Sequence, residues 1–192
     1  MEQLIRQLED FRPWNEQEVR DRELILALLR RGDPAIFTRE STAFHMTASA
    51  WVTDHSRSRV LMAYHNLYGS WAWLGGHADG DRDLLAAAMR EVREESGLRE
   101  VRPVSRGIYS LEILTVDGHE KRGQYVSSHL HLNVTYLLEA DPAAPVRNRP
   151  GENSRVAWFP LEEAVAASSE PWFRERIYQK LNAKLAGFPP GV

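Results

Sequence analysis

Gly76-His-Ala-Asp-Gly-Asp-Arg-Asp-Leu-Leu-Ala-Ala-Ala-Met-Arg-Glu-Val-Arg-Glu-Glu-Ser-Gly-Leu98 is the stretch whose reading decides this fold. It starts as a loop rich in glycine and aspartate and becomes a short apolar-periodic segment. The pattern predicts a helix over residues 84–96, stopped by Gly97. On that helix Leu85, Ala88, Met89 and Val92 form an i, i+3, i+4, i+7 stripe, the signature of a core-facing side. Glu91, Glu94 and Glu95 stand at offsets 0, 3 and 4, inside a sector of about 100° beside that stripe. The carboxylates therefore border the buried face.

Like charges at these spacings cost a helix a few tenths of a kcal/mol per pair. Arg90, four residues before Glu94, offsets part of this. A bound cation relieves three carboxylates at a core boundary more fully. Hard oxygen donors select Mg²⁺ or Mn²⁺, and Mg²⁺ commonly bridges carboxylates to a phosphate. A solvated Glu/Arg face is the plain alternative for an isolated E-x-x-E-E. Three neighbouring features argue against it: the Gly75-Gly76 pair, where backbone can approach a ligand closely; Asp79, Asp81 and Asp83 around the helix entry; and the abrupt stop at Gly97.

Working outward, residues 1–44 read as helical. Glu2 to Phe11 is amphipathic, and Asn15 caps a longer helix from Glu16 to Arg31 with Val19, Leu24, Ile25, Leu28 and Leu29 as its apolar positions. Met46–Val52, Arg59–Tyr64, Ile108–Val116, His129–Leu138 and Val156–Phe159 read as strands. Trp71–Leu74 is a short apolar run before a Gly75–Asp83 loop, and Asp117–Ser128 is a long polar connection. Leu161–Ala167 and Trp172–Leu185 close the chain as helices. Strands around one central helix predict an α/β (α+β) fold, with helices on the faces of a mixed sheet.

A chain of 192 residues suits one domain with some extra structure. It has no cysteine, which excludes disulfides, thiolate metal sites and cysteine nucleophiles. A net charge of −3 gives no footprint for extended nucleic acid. No run approaches the ~20 apolar residues of a membrane span. The polar, acidic start lacks the apolar centre of a signal peptide. A cytoplasmic protein with a small-molecule partner is the expectation.

The stretch Gly76–Leu98 resembles the Nudix box: Gly, five residues, Glu, seven residues, then Arg-Glu-apolar-x-Glu-Glu-x-Gly-apolar. Gly76 starts it and Arg90-Glu91-Val92-Arg93-Glu94-Glu95-Ser96-Gly97-Leu98 completes it without insertion. One position departs, with Arg82 where the family has its first Glu, flanked by Asp81 and Asp83. The resemblance implies a Nudix-like α/β/α sandwich over residues 45–192, with 1–44 as a helical extension acting as a cap or homodimer contact. It implies hydrolysis of a phosphoric anhydride, in a nucleoside diphosphate linked to another group, with Mg²⁺ or Mn²⁺ as cofactor. Glu91, Glu94 and Glu95 would be metal ligands, one of them handling the proton of the attacking water. The Gly75 carbonyl would be a further ligand, and Arg90 would orient the carboxylates. The family often adds an acidic residue from outside the box; Glu152, Glu120 and Glu112 are the candidates, with Glu152 preferred.

Two other uses of such a fold stay open: a module that binds nucleotides without turnover, and the family's isoprenoid diphosphate isomerase branch. That branch uses a cysteine, which this chain lacks. Around the box, His129 and His131 alternate on a strand and share a face. They read either as contacts to phosphate, proton or metal, or as ordinary strand histidines. His77 sits in the box loop, near substrate or purely structural. His45 and His65 fall in no motif. Trp71 and Trp73 read as core rather than base-stacking platforms. Lys121 and Arg122 are candidate phosphate contacts or solvated loop charges.

Overall fold

The central helix, α3, spans Leu84–Ser96, as its periodicity predicts. The computed structural model describes residues 1–67, 69–121 and 123–190. The preceding Asp83 caps the helix, its side chain accepting from Ala86 N at 3.1 Å, worth about 1 kcal/mol. Gly97 ends it in the left-handed region, φ +71°, with its N–H on Arg93 O. Leu84, Leu85 and Val92 are buried, each contributing ~1.5–3 kcal/mol through apolar burial.

The strands are β1 (Phe44–Thr53), β2 (Arg59–His65), β3 (Ser70–Ala72), β4 (Leu74–His77), β5 (Arg102–Pro103), β6 (Ser110–Val116), β7 (His119–Lys121), β8 (Gln124–Val126), β9 (His129–Glu139) and β10 (Asn153–Pro160). The main sheet runs β10-β2-β1-β9-β5, with β3 on β2, β4 on β1 and β6 on β9. β1 and β9 are parallel and their other pairings antiparallel, so the sheet is mixed. Alternation along β1 and β9 sends Met46, Ala48, Ala50, Leu132 and Val134 into one apolar layer that includes α3. Trp51 and Leu137 point into a second layer with Ala164 and Val165 of α4 (Leu161–Ala167). Ile177 and Tyr178 of a π-helical turn, Phe173–Tyr178, and Leu181 of α5 (Gln179–Lys184) complete that layer. This is the expected helix–sheet–helix layering. Among the described residues no helix is long and apolar enough to cross a membrane.

Three details differ from the sequence reading. The run Trp71–Leu74 divides at Trp73, because the chain leaves β2 and pairs its next residues with β1; Gly75, Gly76 and His77 are thereby strand rather than loop. The connection 117–128 contains a hairpin, β7–β8, that forms its own two-stranded sheet. In α2 (Glu16–Leu29) Leu24 is exposed, while Leu26 and Glu18 are buried. Glu18 tolerates burial because Lys184 Nζ lies 2.7 and 2.9 Å from its two carboxylate oxygens and Lys180 lies at 3.4 Å. Asn15 caps α2 as expected, accepting from Glu18 N at 3.0 Å. Leu4 and Leu8 of α1 (Glu2–Asp10), with Ile25 and Leu29 of α2, share the apolar layer of α3.

Glu139 fastens the end of β9. It accepts from Arg57 at 2.6 Å, from Arg102 and from His55 at 3.3 Å. Burial pushes this carboxyl up, but the hydrogen bonds from Arg102, Arg57 and His55, with the charge of Arg57, outweigh it and hold it at about 2. A folded value below the unfolded 4.5 stabilises the protein above that pH, and the contribution is lost as pH falls towards 2. Glu139→Gln will therefore be less stable than wild type at neutral pH, with the gap closing in acid. Urea melts across this range check it; a gap independent of pH would show that the charge is not responsible.

Candidate active site

The three box glutamates differ in environment although they share one side of α3. Glu95 is 4 % exposed. The Glu91 side chain is 14 % exposed and that of Glu94 42 %. Glu95 Oε2 accepts the Gly75 N–H at 3.0 Å. A Cβ at Gly76 would lie 2.6 Å from Glu91 Cδ, and one at Gly75 would lie 2.6 Å from Ala48 O. Gly75 is thus required by its close approach to the β1 backbone, and Gly76 leaves the space that the Glu91 carboxylate occupies.

Burial raises Glu95 to about 8, with the charges of Glu91 and Glu152 adding to the rise. Glu91 is raised too, first by burial and then by Glu94. Carboxylates withdrawn from water beside one another favour either a proton or a cation. Glu91, Glu94 and Glu95 offer only oxygen donors, which suit a hard divalent ion, although among the described residues their carboxylates are not drawn together within one ion's reach.

Arg90 does not offset Glu94 as its spacing suggests. Its guanidinium meets Asp81 at 3.2 Å and Glu91 at 3.4 Å. Asp81 also accepts from Asp83 N at 3.0 Å, so it ties the box loop to the helix. Arg82 instead lies 6.0 Å from the Phe37 ring centroid. Arg39 clamps Asp79 through two bonds of 2.8 and 2.9 Å.

The partner of Glu94 is Arg149, at 2.7 Å, and the same guanidinium meets Glu152 at 3.1 Å. Sequence reasoning missed Arg149, because nothing local marks it. Asn153 places it: fully buried, this side chain accepts from Arg149 N at 3.0 Å and donates to Glu95 O at 3.1 Å. The 149–153 loop thereby satisfies a terminal carbonyl of α3 and brings Glu152 to the box. Of the other two acidic candidates, Glu112 is fully buried and bonded to Lys180, Asn133 and Thr135. Glu120 lies on the exposed β7–β8 hairpin.

His77, His129 and His131 gather with one another and with His45, which no motif marked. His131 is held at about 2, chiefly by burial and then by His77, His45 and His129; burial also lowers His45. Trp73 is core, packed on Tyr178, whereas half-buried Trp71 carries Arg155 5.3 Å from its ring centroid. Arg122 and the Lys121 side chain lie outside the described residues. A groove of about 450 Å³ between residues 7–14, 107–109 and 184–188 includes none of the box carboxylates.

No curated protein matches the sequence. Solved structures do match the fold. A C. elegans Ap4A hydrolase in a binary complex is 19 % identical, covers 74 % of this chain and 98 % of its own, and has a TM-score of 0.50. The E. coli dihydroneopterin triphosphate pyrophosphohydrolase is 16 % identical over 70 % of this chain and 92 % of its own, with a TM-score of 0.52. RenU, a Nudix hydrolase from M. smegmatis, is 16 % identical over 76 % and 88 %, with a TM-score of 0.53. The family model for the NUDIX domain matches residues 43–181, a span that contains the whole box, its glycine strand and the Arg149–Asn153 loop. By that match the chain belongs to the NUDIX domain family and has the Nudix hydrolase fold.

Proposed function

We propose that this protein is a divalent-metal-dependent pyrophosphohydrolase that cleaves a phosphoric anhydride in a nucleoside diphosphate linked to another group. The observation that carries the reading is the convergence of Glu91, Glu94 and Glu95 with the Gly75-Gly76 strand and, through Arg149, with Glu152. Two similar structures are named for Ap4A and dihydroneopterin triphosphate, both of which contain phosphoric anhydrides.

Glu91, Glu94 and Glu95 would hold Mg²⁺ or Mn²⁺, with the Gly75 carbonyl as a further donor. When bound, the ion supplies charge neutralisation of phosphate oxygens and acidifies a water. The Gly75 N–H fixes the orientation of Glu95, and Arg90, itself held by Asp81, fixes Glu91. Asp81 takes over the anchoring of the helix entry where Arg82 stands in the box. One of the three glutamates, Glu95 foremost, would handle the proton of the attacking water, and Glu152, which shares Arg149 with Glu94, would be the acidic residue from outside the box, as ligand or base. Residues 1–44 are a helical extension of the hydrolase domain, a reading supported by the start of the family match at residue 43.

A panel of nucleoside diphosphate derivatives assayed for phosphate or nucleotide release with Mg²⁺ and with Mn²⁺ tests this. Turnover of at least one substrate, lost on chelation, is expected. If no substrate turns over under either ion, the enzyme reading fails; tight nucleotide binding without turnover would replace it with a binding module.

A further inference from the structure

Four histidines converge on one face of the sheet, on three neighbouring strands. His45 of β1 is the register partner of His131 of β9, and His77 of β4 is paired with Thr47, two residues along β1. His129 precedes His131 by two residues and so shares its face. Ring centroids lie 5.0 Å apart for His45–His77, 5.0 Å for His45–His131 and 4.8 Å for His77–His131. His129 lies 4.9 Å from His45 and 5.1 Å from His131.

The ring nitrogens are also oriented. One nitrogen from each of His45, His77 and His131 lies within 4.8 Å of the other two. His129 Nε2 and His131 Nε2 are 3.3 Å apart, close to the ~3.4 Å between donors of a tetrahedral ion with Zn–N bonds of ~2.05 Å. His45 Nδ1 is 3.0 Å from Ser41 O, and His129 Nδ1 is 2.8 Å from Ser127 O. Only a donor N–H can face a carbonyl, so each Nδ1 carries a hydrogen, which in a neutral ring leaves Nε2 with the lone pair. Metal-ligating histidines are held in this way, one ring nitrogen donating to a backbone carbonyl and the other facing the ion. A single N–H···N bond can satisfy the His129–His131 pair. It does nothing for His45 Nε2, which is buried without a partner in a residue only 5 % exposed.

We propose that His45, His77, His129 and His131 form a second metal site, taking a borderline transition ion of the Zn²⁺ class. All-imidazole donors suit Zn²⁺, Cu²⁺ or Ni²⁺ and disfavour Mg²⁺, so the site is chemically distinct from the box carboxylates. An ion there joins β1, β4 and β9 next to Gly76 and holds the strand that backs Glu91.

The test uses the full chain after chelation, titrated with Co²⁺ in excess Mg²⁺, which keeps the oxygen donors occupied. One equivalent of Co²⁺ giving the intense visible bands of a four- or five-coordinate nitrogen site, displaced by one Zn²⁺, is expected. Zn²⁺ at ~100-fold above its Kd should raise Tm by about 5–10 °C. His131→Gln and His129→Ala should each weaken Zn²⁺ at least ~100-fold, the upper range for losing even an outer partner of a metal, while Glu95→Gln leaves it unchanged. His129 is partly exposed, so its variant carries the test if His131→Gln fails to fold. Absence of a Co²⁺ spectrum, or Zn²⁺ binding lost in Glu95→Gln and retained in His129→Ala, would overturn the proposal. Hydrolysis is read separately, through Glu95, and stands or falls on its own.

Discussion

Replacing Glu95 with glutamine will lower kcat/KM by about 10²–10⁴-fold, the range for removing a positioned acid–base group, without unfolding the protein. The two side chains have the same shape, and the glutamine oxygen can still accept the Gly75 N–H that Glu95 accepts at 3.0 Å. What disappears is the capacity to carry a negative charge at a position 4 % exposed. Burying that charge is unfavourable, which is why the group is raised to about 8. The variant should therefore melt at the wild-type temperature or above it in the presence of chelator. Loss of turnover with stability kept or gained is the pattern of a functional carboxylate, and a merely structural one would lose both together. Steady-state kinetics with Mn²⁺ and a thermal melt decide it. Undiminished turnover would remove Glu95 from the site and with it the main support for metal-assisted hydrolysis.

The second large effect lies far from the box. Glu18→Gln will destabilise the protein by about 3–5 kcal/mol, because it strands the buried Lys184 without its counter-charge. For a chain of this size that is a fall in Tm of roughly 6–20 °C. Glu18 is fully buried, and burial alone would raise it; Lys180 and Lys184 outweigh burial and leave it below the usual carboxylate range. Ser110 Oγ at 2.6 Å and Trp14 N at 2.7 Å complete its shell. Lys180 has a second partner in Glu112 at 2.9 Å, whereas Lys184 depends on Glu18. The double variant Glu18→Gln, Lys184→Met should accordingly recover much of the loss. Urea titrations give the comparison: a single-variant cost below about 1 kcal/mol, or no recovery in the double, would show that the pair does not lock the N-terminal helices to the C-terminal one.

These two residues mark what the sequence could and could not reveal. Glu95 was legible because everything that defines it is local: a 3.6-residue period, a stopping glycine and two upstream glycines within one supersecondary unit. Glu18 was not, because its burial depends on lysines more than 160 residues away, and a period count scored its helix by apolar residues alone. Arg149 was hidden for the same reason, since its place at Glu94 follows from Asn153 reaching Glu95 O across the fold. His129 and His131 declared a shared face by their alternation. His45 joined them only through the parallel pairing of β1 with β9, which no spacing encodes. The division of Trp71–Leu74 into two strands was likewise invisible, because the residues are equally apolar on both sides and only the partner changes.

The small β7–β8 hairpin has an architectural consequence. The chain leaves the main sheet at Val116 and re-enters it at His129, which are cross-strand partners of β6 and β9. The segment between begins and ends at one rung of a ladder that is complete without it, and among the described residues β7 and β8 pair only with each other. Chain length there is a free variable. The ladder of β6 and β9, and the glutamate helix beyond it, hold their places whatever the length of that connection.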